Sequence, residues 1–280
     1  MNIFLLNADN WKADGGATFG VVPKTLWESV CPADENNLVN AANKCLLVKT
    51  GDRLILFDTG MGDKQDEKFF KYRYRFGNES LLANMAEVGF SPEEVTDVVF
   101  THLHYDHCGG ASRHNADRSG FELVFKNARH WVSEEQWKWA NKPNKREAAS
   151  FLPENLKPLE ASGQLHLIRK EGYFCDDVYL RLFYGHTAGQ IIPQISFGDK
   201  TLVYTADFIA SSAHVPLVYI PAYDIQPLIT LDEKEVFLTE AADKNYILVF
   251  EHDSLYDCCR VENTPRGFRA LDLSPFSVIV

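Results

Sequence analysis

Thr101-His102-Leu103-His104-Tyr105-Asp106-His107 is the stretch that decides how this chain is read. Three imidazoles and a carboxylate follow directly on the apolar run Val98-Val99-Phe100. Imidazole and carboxylate are borderline ligands that suit Zn, Mn, Fe or Co. If the backbone stays extended, alternation turns His102 and His104 to the same side. Asp106 and His107 can then face a second ion. The bland alternative is a polar loop that happens to be rich in histidine. It leaves unexplained the further donors placed in the same way along the chain.

Those donors stand just past apolar runs. Asp58 closes Leu54-Ile55-Leu56-Phe57-Asp58-Thr59-Gly60, and His186 follows Val178-Tyr179-Leu180-Arg181-Leu182-Phe183. Asp207 follows Thr201-Leu202-Val203-Tyr204-Thr205, and His252 follows Tyr246-Ile247-Leu248-Val249-Phe250. Each run reads as a buried strand, so each donor falls near a strand's C-terminal end. A lone Asp or His in that place is usually a cap or turn residue. Repetition of the placement, beside the H-x-H-x-D-H run, turns the reading toward a metal centre.

Taken in order, Asp58-Thr59-Gly60, the H-x-H-x-D-H run, His186, Asp207 and His252 resemble the metallo-β-lactamase superfamily, over about residues 40 to 255. The segments 14–24 and 214–224 resemble the branch that holds quorum-quenching N-acyl-homoserine lactonases and methyl parathion hydrolases. The resemblance implies an α/β fold, a four-layer αββα sandwich. It places His102, His104 and His186 on one ion and Asp106, His107 and His252 on another, with Asp207 bridging. Two divalent ions, zinc first among Zn, Mn, Fe and Co, would lie about 3.5 Å apart around a bridging hydroxide that attacks the substrate. Asp58 would orient a ligand imidazole from outside the set.

The implied activity is that of a metal-dependent hydrolase opening lactone rings, N-acyl-homoserine lactones in particular, with a small-molecule lactone or ester as substrate. Asp106 and Asp207 carry catalytic roles in it. Relatives with lactonase activity place a tyrosine three residues after the bridging acid, where this chain has Ala210. Tyr223 and His214 are the replacements to consider for the leaving-group proton. Phe19, Trp27, Phe208, Tyr219 and Ile220 are candidates for an apolar wall. An arylesterase or phosphotriesterase on the same site is the neighbouring alternative. A module whose metal is structural, without catalysis, is the alternative of a different class. The N-terminal loop, which packs across subunits in relatives, leaves room for a homodimer.

Length and charge set bounds on these readings. The chain has 280 residues, of which 45% are hydrophobic, enough core for one domain over 1–280 or for two fused halves. Its net charge of -11 argues against nucleic acid and anionic membrane as partners. No stretch approaches the ~18 apolar residues of a membrane helix. The opening residues lack a basic n-region, so a cytoplasmic location is expected. The run Lys64 to Arg75 mixes basic and aromatic residues and reads as a lid or helix face more readily than as a nucleic-acid patch. Six cysteines in no framework spacing read as reduced thiols, with Cys108 packed beside a tight turn at Gly109-Gly110.

Helices are expected over 78–89, from Ser91-Pro92, from Ser133-Glu134, and at about 232–243. Segment 141–160, with Pro143, Pro153 and Pro158, reads as broken helix. Strands are expected near 98–100, 165–168, 178–183, 191–197, 201–205 and 246–250, and loop 13–24 carries no phosphate-binding pattern.

Overall fold

The apolar runs ahead of Asp58 and of the H-x-H-x-D-H run are strands buried on both faces. Leu54, Ile55, Leu56 and Phe57 are all buried in strand Arg53–Phe57, and Asp97–Val99 is buried throughout. Continuous apolar runs of this kind belong to parallel pairing, where both faces are covered. Arg53–Phe57 pairs in parallel with Asp97–Val99, that strand with Arg129–Ser133, and that with Leu165–Ile168.

The computed structural model describes residues 1–279 and divides into two units. The first comprises Met1–Asn10 and Asn43–Lys170; the second comprises Trp11–Ala42 and the chain from Glu171 onward. A mixed sheet of six strands runs in chain order through Asn2–Asp14, Leu38–Thr50, Arg53–Phe57, Asp97–Val99, Arg129–Ser133 and Leu165–Ile168. Residues 2–10 and 43–50 of its first two strands lie in the first unit. The second unit holds a sheet of seven, ordered Gly267–Ser274, Cys258–Thr264, Ile247–Val249, Lys200–Tyr204, Gln190–Phe197, Val178–Phe183 and Gly172–Cys175. Lys200–Tyr204 and Ile247–Val249 are parallel, and helix Pro227–Asp243 makes the crossover that such a pair requires.

Several elements differ from the sequence expectation for identifiable reasons. The last helix begins at Pro227, five residues before the expected start. Gln226 precedes it without a side-chain cap, so no polar signal marks the boundary. Residues 153–161 form one helix despite Pro158. Proline cannot bond the carbonyl four residues back, and that carbonyl, Glu154 O, accepts from Ser112 Oγ at 3.3 Å instead. The hairpin Cys258–Thr264 with Gly267–Ser274 escapes a search for apolar runs because Arg260, Glu262 and Arg269 interrupt it. The segment expected as loop 13–24 holds two short helices, Gly15–Phe19 and Lys24–Trp27. Among the described residues no helix is long and apolar enough to cross a membrane.

The core of the first unit holds pH-sensitive groups, His130 and Asp9 among them. His130 on strand Arg129–Ser133 is fully buried, its ring stacked on Phe100 at 6.1 Å. Burial pushes its pKa down from 6.5 to about 4, with the Ala128 backbone pulling weakly the other way. Between those values the unfolded chain binds the proton and the folded chain does not. The stability tied to His130 is therefore whole above about pH 6.5 and is lost as pH falls toward 4, by about 3 kcal/mol at most. Asp9 has the opposite sign, since burial raises its carboxyl to about 6, but it is common to both proteins in a comparison. We expect His130→Phe to lose less stability than the parent between pH 7 and 4.5, read as urea midpoints; equal losses in the two proteins refute this.

Candidate metal centre

The first unit carries the H-x-H-x-D-H run at the end of strand Asp97–Val99. The backbone stays extended through His104 and then closes one helical turn, Tyr105–Cys108, with the N–H groups of His107 and Cys108 both donating to His104 O at 3.1 Å. The extended part turns His102 Nε2 and His104 Nδ1 toward each other at 2.9 Å. The helical turn carries Asp106 and His107, with Asp106 Oδ2 4.0 Å from His107 Nε2. All four donor side chains are buried.

Asp58 reaches this group by a left-handed backbone, φ 57°, which aspartate tolerates better than most residues. Its carboxylate accepts from Thr101 N at 2.7 Å and Thr101 Oγ1 at 2.6 Å, and from His107 Nδ1 at 3.1 Å. Thr101 Oγ1, its own hydrogen given to Asp58, has only a lone pair left for His102 Nδ1 at 3.0 Å. A third acid, Glu147, faces His104 Nε2 at 2.9 Å.

In the second unit His186, Asp207 and His252 form one cluster. Asp207 Oδ2 lies 3.0 Å from His186 Nε2 and its Oδ1 2.6 Å from His252 Nε2. The outer nitrogens are taken as well: His186 Nδ1 by Asp224 Oδ1 at 2.8 Å, His252 Nδ1 by the Ala42 carbonyl at 2.8 Å. Thr230 Oγ1 donates to the other oxygen of Asp224 at 2.7 Å. Gly185 is required here sterically, since a Cβ would meet Thr230 N and Cα at 2.5 Å each.

Each outer partner can only accept, so each outer imidazole nitrogen carries the hydrogen. In the neutral imidazole the inner nitrogen is then bare: His102 Nε2, His104 Nδ1 and His107 Nε2 in the first unit, His186 Nε2 and His252 Nε2 in the second. Ring nitrogens and carboxylate oxygens facing one another at 2.6 to 3.0 Å repel unless a proton or a metal ion stands between them. The donor set fits divalent metal ions. Charge agrees: burial alone would lower the pKa of His186, yet Asp207 and Asp224 override it and raise it to about 10. The cluster favours a positive charge at its centre, which a metal ion can supply in place of the proton.

The remaining sequence candidates have clear surroundings. His214 is buried, stacked on Phe19 at 4.8 Å, with Nε2 donating to Thr18 O at 3.0 Å and Nδ1 facing Ser211 Oγ at 2.7 Å. Burial pushes its pKa down to about 4, so it is neutral near pH 7. Phe19 stacks in turn on Trp27 at 4.7 Å, and Tyr219 meets it edge-on at 6.2 Å, so three of the proposed wall residues share this core cluster. Tyr223 stands 47% exposed. The Ala210 carbonyl accepts from His252 N at 3.2 Å. Cys108 is a packing thiol, its Sγ 3.4 Å from Leu103 O and its pKa pushed up to about 12 by burial.

Three of the five basic residues of the 64–75 run turn inward, while Lys68 and Lys71 stay exposed beside Tyr72 and Tyr74. Lys64 is buried and donates to the carbonyls of Gly109 and Ser112, Arg73 stacks on Phe69 and Tyr105, and Arg75 pairs with Asp9 at 2.7 Å. Glu147, Asp224 and the Ala42 carbonyl are the partners that sequence reasoning missed. No local pattern announces them.

Residues 41–114 match the sequence profile of the metallo-beta-lactamase superfamily. An N-acyl homoserine lactonase of Bacillus cereus is 32% identical over 84 residues, 26% of this chain and 34% of that protein. The chain therefore spans about a third of the length of the curated relatives it matches. A crystal structure described as a probable metal-dependent hydrolase from Staphylococcus aureus superimposes with a TM-score of 0.89 at 28% identity, covering 100% of this chain and 98% of that one. AidC, described as a dizinc quorum-quenching lactonase, superimposes with a TM-score of 0.80 at 23% identity over 97% of this chain and 94% of its own.

Proposed function

We propose that this chain, which has the metallo-β-lactamase fold, is a dinuclear metal-dependent hydrolase that opens lactone rings, with N-acyl-homoserine lactones as the leading substrates. The observation that supports it best is the setting of the histidines: every imidazole of the set has one nitrogen facing an acceptor, which leaves the other for a metal ion. In this reading His102, His104 and His186 would hold one ion, Asp106, His107 and His252 the other, and Asp207 would serve both. Two divalent ions, when bound, lower the pKa of water toward neutrality and polarise a carbonyl or phosphoryl oxygen.

The chain's own residues supply the rest. Asp58 keeps the proton of His107 on Nδ1 and, through Thr101, that of His102 on Nδ1. Ring opening of an unactivated lactone releases an alkoxide, which needs a proton. Ala210 has none to give. We assign the proton to Tyr223, which stands 47% exposed, rather than to the buried His214, whose Nε2 hydrogen is already given to Thr18 O. Tyr223→Phe is expected to lower kcat on lactones about 100-fold and to leave p-nitrophenyl ester cleavage almost unchanged, because p-nitrophenolate departs without protonation. Equal losses on both substrates reject the role.

Ala210 also favours a second reading. A site without a tyrosine after the bridging acid suits esters and phosphotriesters with good leaving groups. The deciding experiment is kcat/KM of metal-quantified protein on homoserine lactones of graded acyl length, beside paraoxon and a p-nitrophenyl ester. Strong, length-dependent lactone hydrolysis supports the lactonase; faster ester or phosphotriester cleavage replaces it with the second reading. Stoichiometric metal with no turnover of any of these substrates rejects hydrolysis.

A further inference from the structure

Glu147 is a buried acid outside the ligand pattern, and its surroundings are built for a carboxylate. It lies between helix Glu134–Asn141 and the short 3-10 turn Ala148–Ser150, with 4% of its surface exposed. One oxygen, Oε1, faces His104 Nε2 at 2.9 Å. The other, Oε2, accepts from Trp139 Nε1 at 2.6 Å and from Asn144 Nδ2 at 3.0 Å. Asn144 is itself fixed, its Oδ1 accepting the backbone N–H of Arg146 at 2.9 Å and of Glu147 at 3.0 Å, while Ala148 N donates to its carbonyl at 3.0 Å. The acid is thus held by the loop that carries it and presented to the imidazole.

We propose that Glu147 is a positioning residue of the metal centre: it fixes His104 as the Nε2–H tautomer and so keeps Nδ1 bare and turned toward His102 Nε2. The proposal rests on the reading of His104 as a metal ligand. Its specific content is that only a carboxylate serves. Three donors converge on Glu147, and an ionised carboxylate is the one side chain of this shape that is acceptor-only at both ends. In glutamine one end becomes an NH₂ group. Facing His104, it would demand a bare Nε2 and drive the hydrogen onto Nδ1, the nitrogen the ion needs. Facing Trp139 and Asn144, it would set donor against two donors that cannot reverse. An aspartate keeps the acceptors and falls short by one methylene.

The test compares the parent protein with Glu147→Gln and Glu147→Asp, each loaded with zinc and quantified by elemental analysis. Metal loss to a chromogenic chelator is timed, and the His104 tautomer is read by ¹⁵N imidazole NMR on the metal-free protein. We expect the parent to show the Nε2–H tautomer. Glu147→Gln should lose metal 10- to 100-fold faster, about the effect of removing an outer partner from a ligand histidine, with an altered tautomer. Glu147→Asp should fall between them. Should the buried amide prevent folding, Trp139→Phe removes one of the donors that hold Oε2 and should speed metal loss in the same direction. A parent that binds zinc while the variants release it at the parental rate overturns the role of Glu147 alone. So does a parent with the hydrogen on Nδ1 of His104. A parent that binds no zinc overturns the metal centre itself, and the positioning role with it.

Discussion

Asp207→Ala is expected to abolish the proposed hydrolysis, with a loss in kcat/KM on the order of 10³-fold or more, as when a preorganised charge is removed from a reacting centre. The acid sits on a strained turn. Ala206 before it has φ 41°, and Thr205 holds the turn closed by donating Oγ1 to Ile209 O at 2.8 Å while its N–H reaches Val249 O at 3.0 Å. The geometry aims one carboxylate oxygen at His186 and the other at His252. Remove the acid and two bare nitrogens remain, with no shared anion to offset the charge of a bound cation. Metal content should fall below two ions per chain, and added zinc should not restore activity. Asp207→Asn should fare little better, because an amide offers an acceptor to one imidazole and a donor to the other. A variant that keeps activity within about tenfold of the parent, or that holds both ions, ends the bridging role.

Gly109→Ala is expected to be the most destabilising single methyl in the first unit, by about 4 kcal/mol or more, at the exceptional end for one substitution. Gly109 has φ -60° and ψ -40°, so the demand for glycine is steric and not conformational. A Cβ there would meet the Met61 carbonyl carbon at 2.7 Å and its oxygen closer still. Neither neighbour can yield. The 59–62 loop after strand Arg53–Phe57 is tied to the helical turn, with Thr59 N and Oγ1 both donating to His107 O at 2.7 and 3.0 Å and Gly110 N to Gly60 O at 2.9 Å. Met61 N is held by Asp9 Oδ2 at 2.8 Å, and Lys64 takes the carbonyl of Gly109 itself. Relief of the clash must move the turn that carries Asp106 and His107. Thermal stability and metal content should therefore fall together. A variant with a midpoint within a few degrees of the parent would show that these backbones can separate.

The two experiments probe different levels of the same molecule. Histidine and aspartate in the run 101–107 are rare together and rich in chemistry, so a metal centre is legible there without any structure. The same holds for donors after apolar runs, because a continuous apolar stretch announces a buried strand and its end announces a turn. Local sequence also marks helix starts where a polar cap exists, as at Ser133, whose side chain accepts from Gln136 N at 3.0 Å. It misses them where none exists, as at Gln226.

The partners that hold the imidazoles belong to the tertiary structure. Glu147 lies 43 residues from His104, Asp224 lies 38 from His186, and the Ala42 carbonyl lies 210 from His252. Acids and carbonyls are too common for a sequence to single out the ones that meet a given ring nitrogen; strand register and loop closure choose them. The sequence by itself determined the kinds of donor and the strand ends they occupy, because those follow from side-chain chemistry and local periodicity. Which nitrogen of each histidine is bare was decided only by the fold, because it depends on the acceptor that long-range packing brings to the other one.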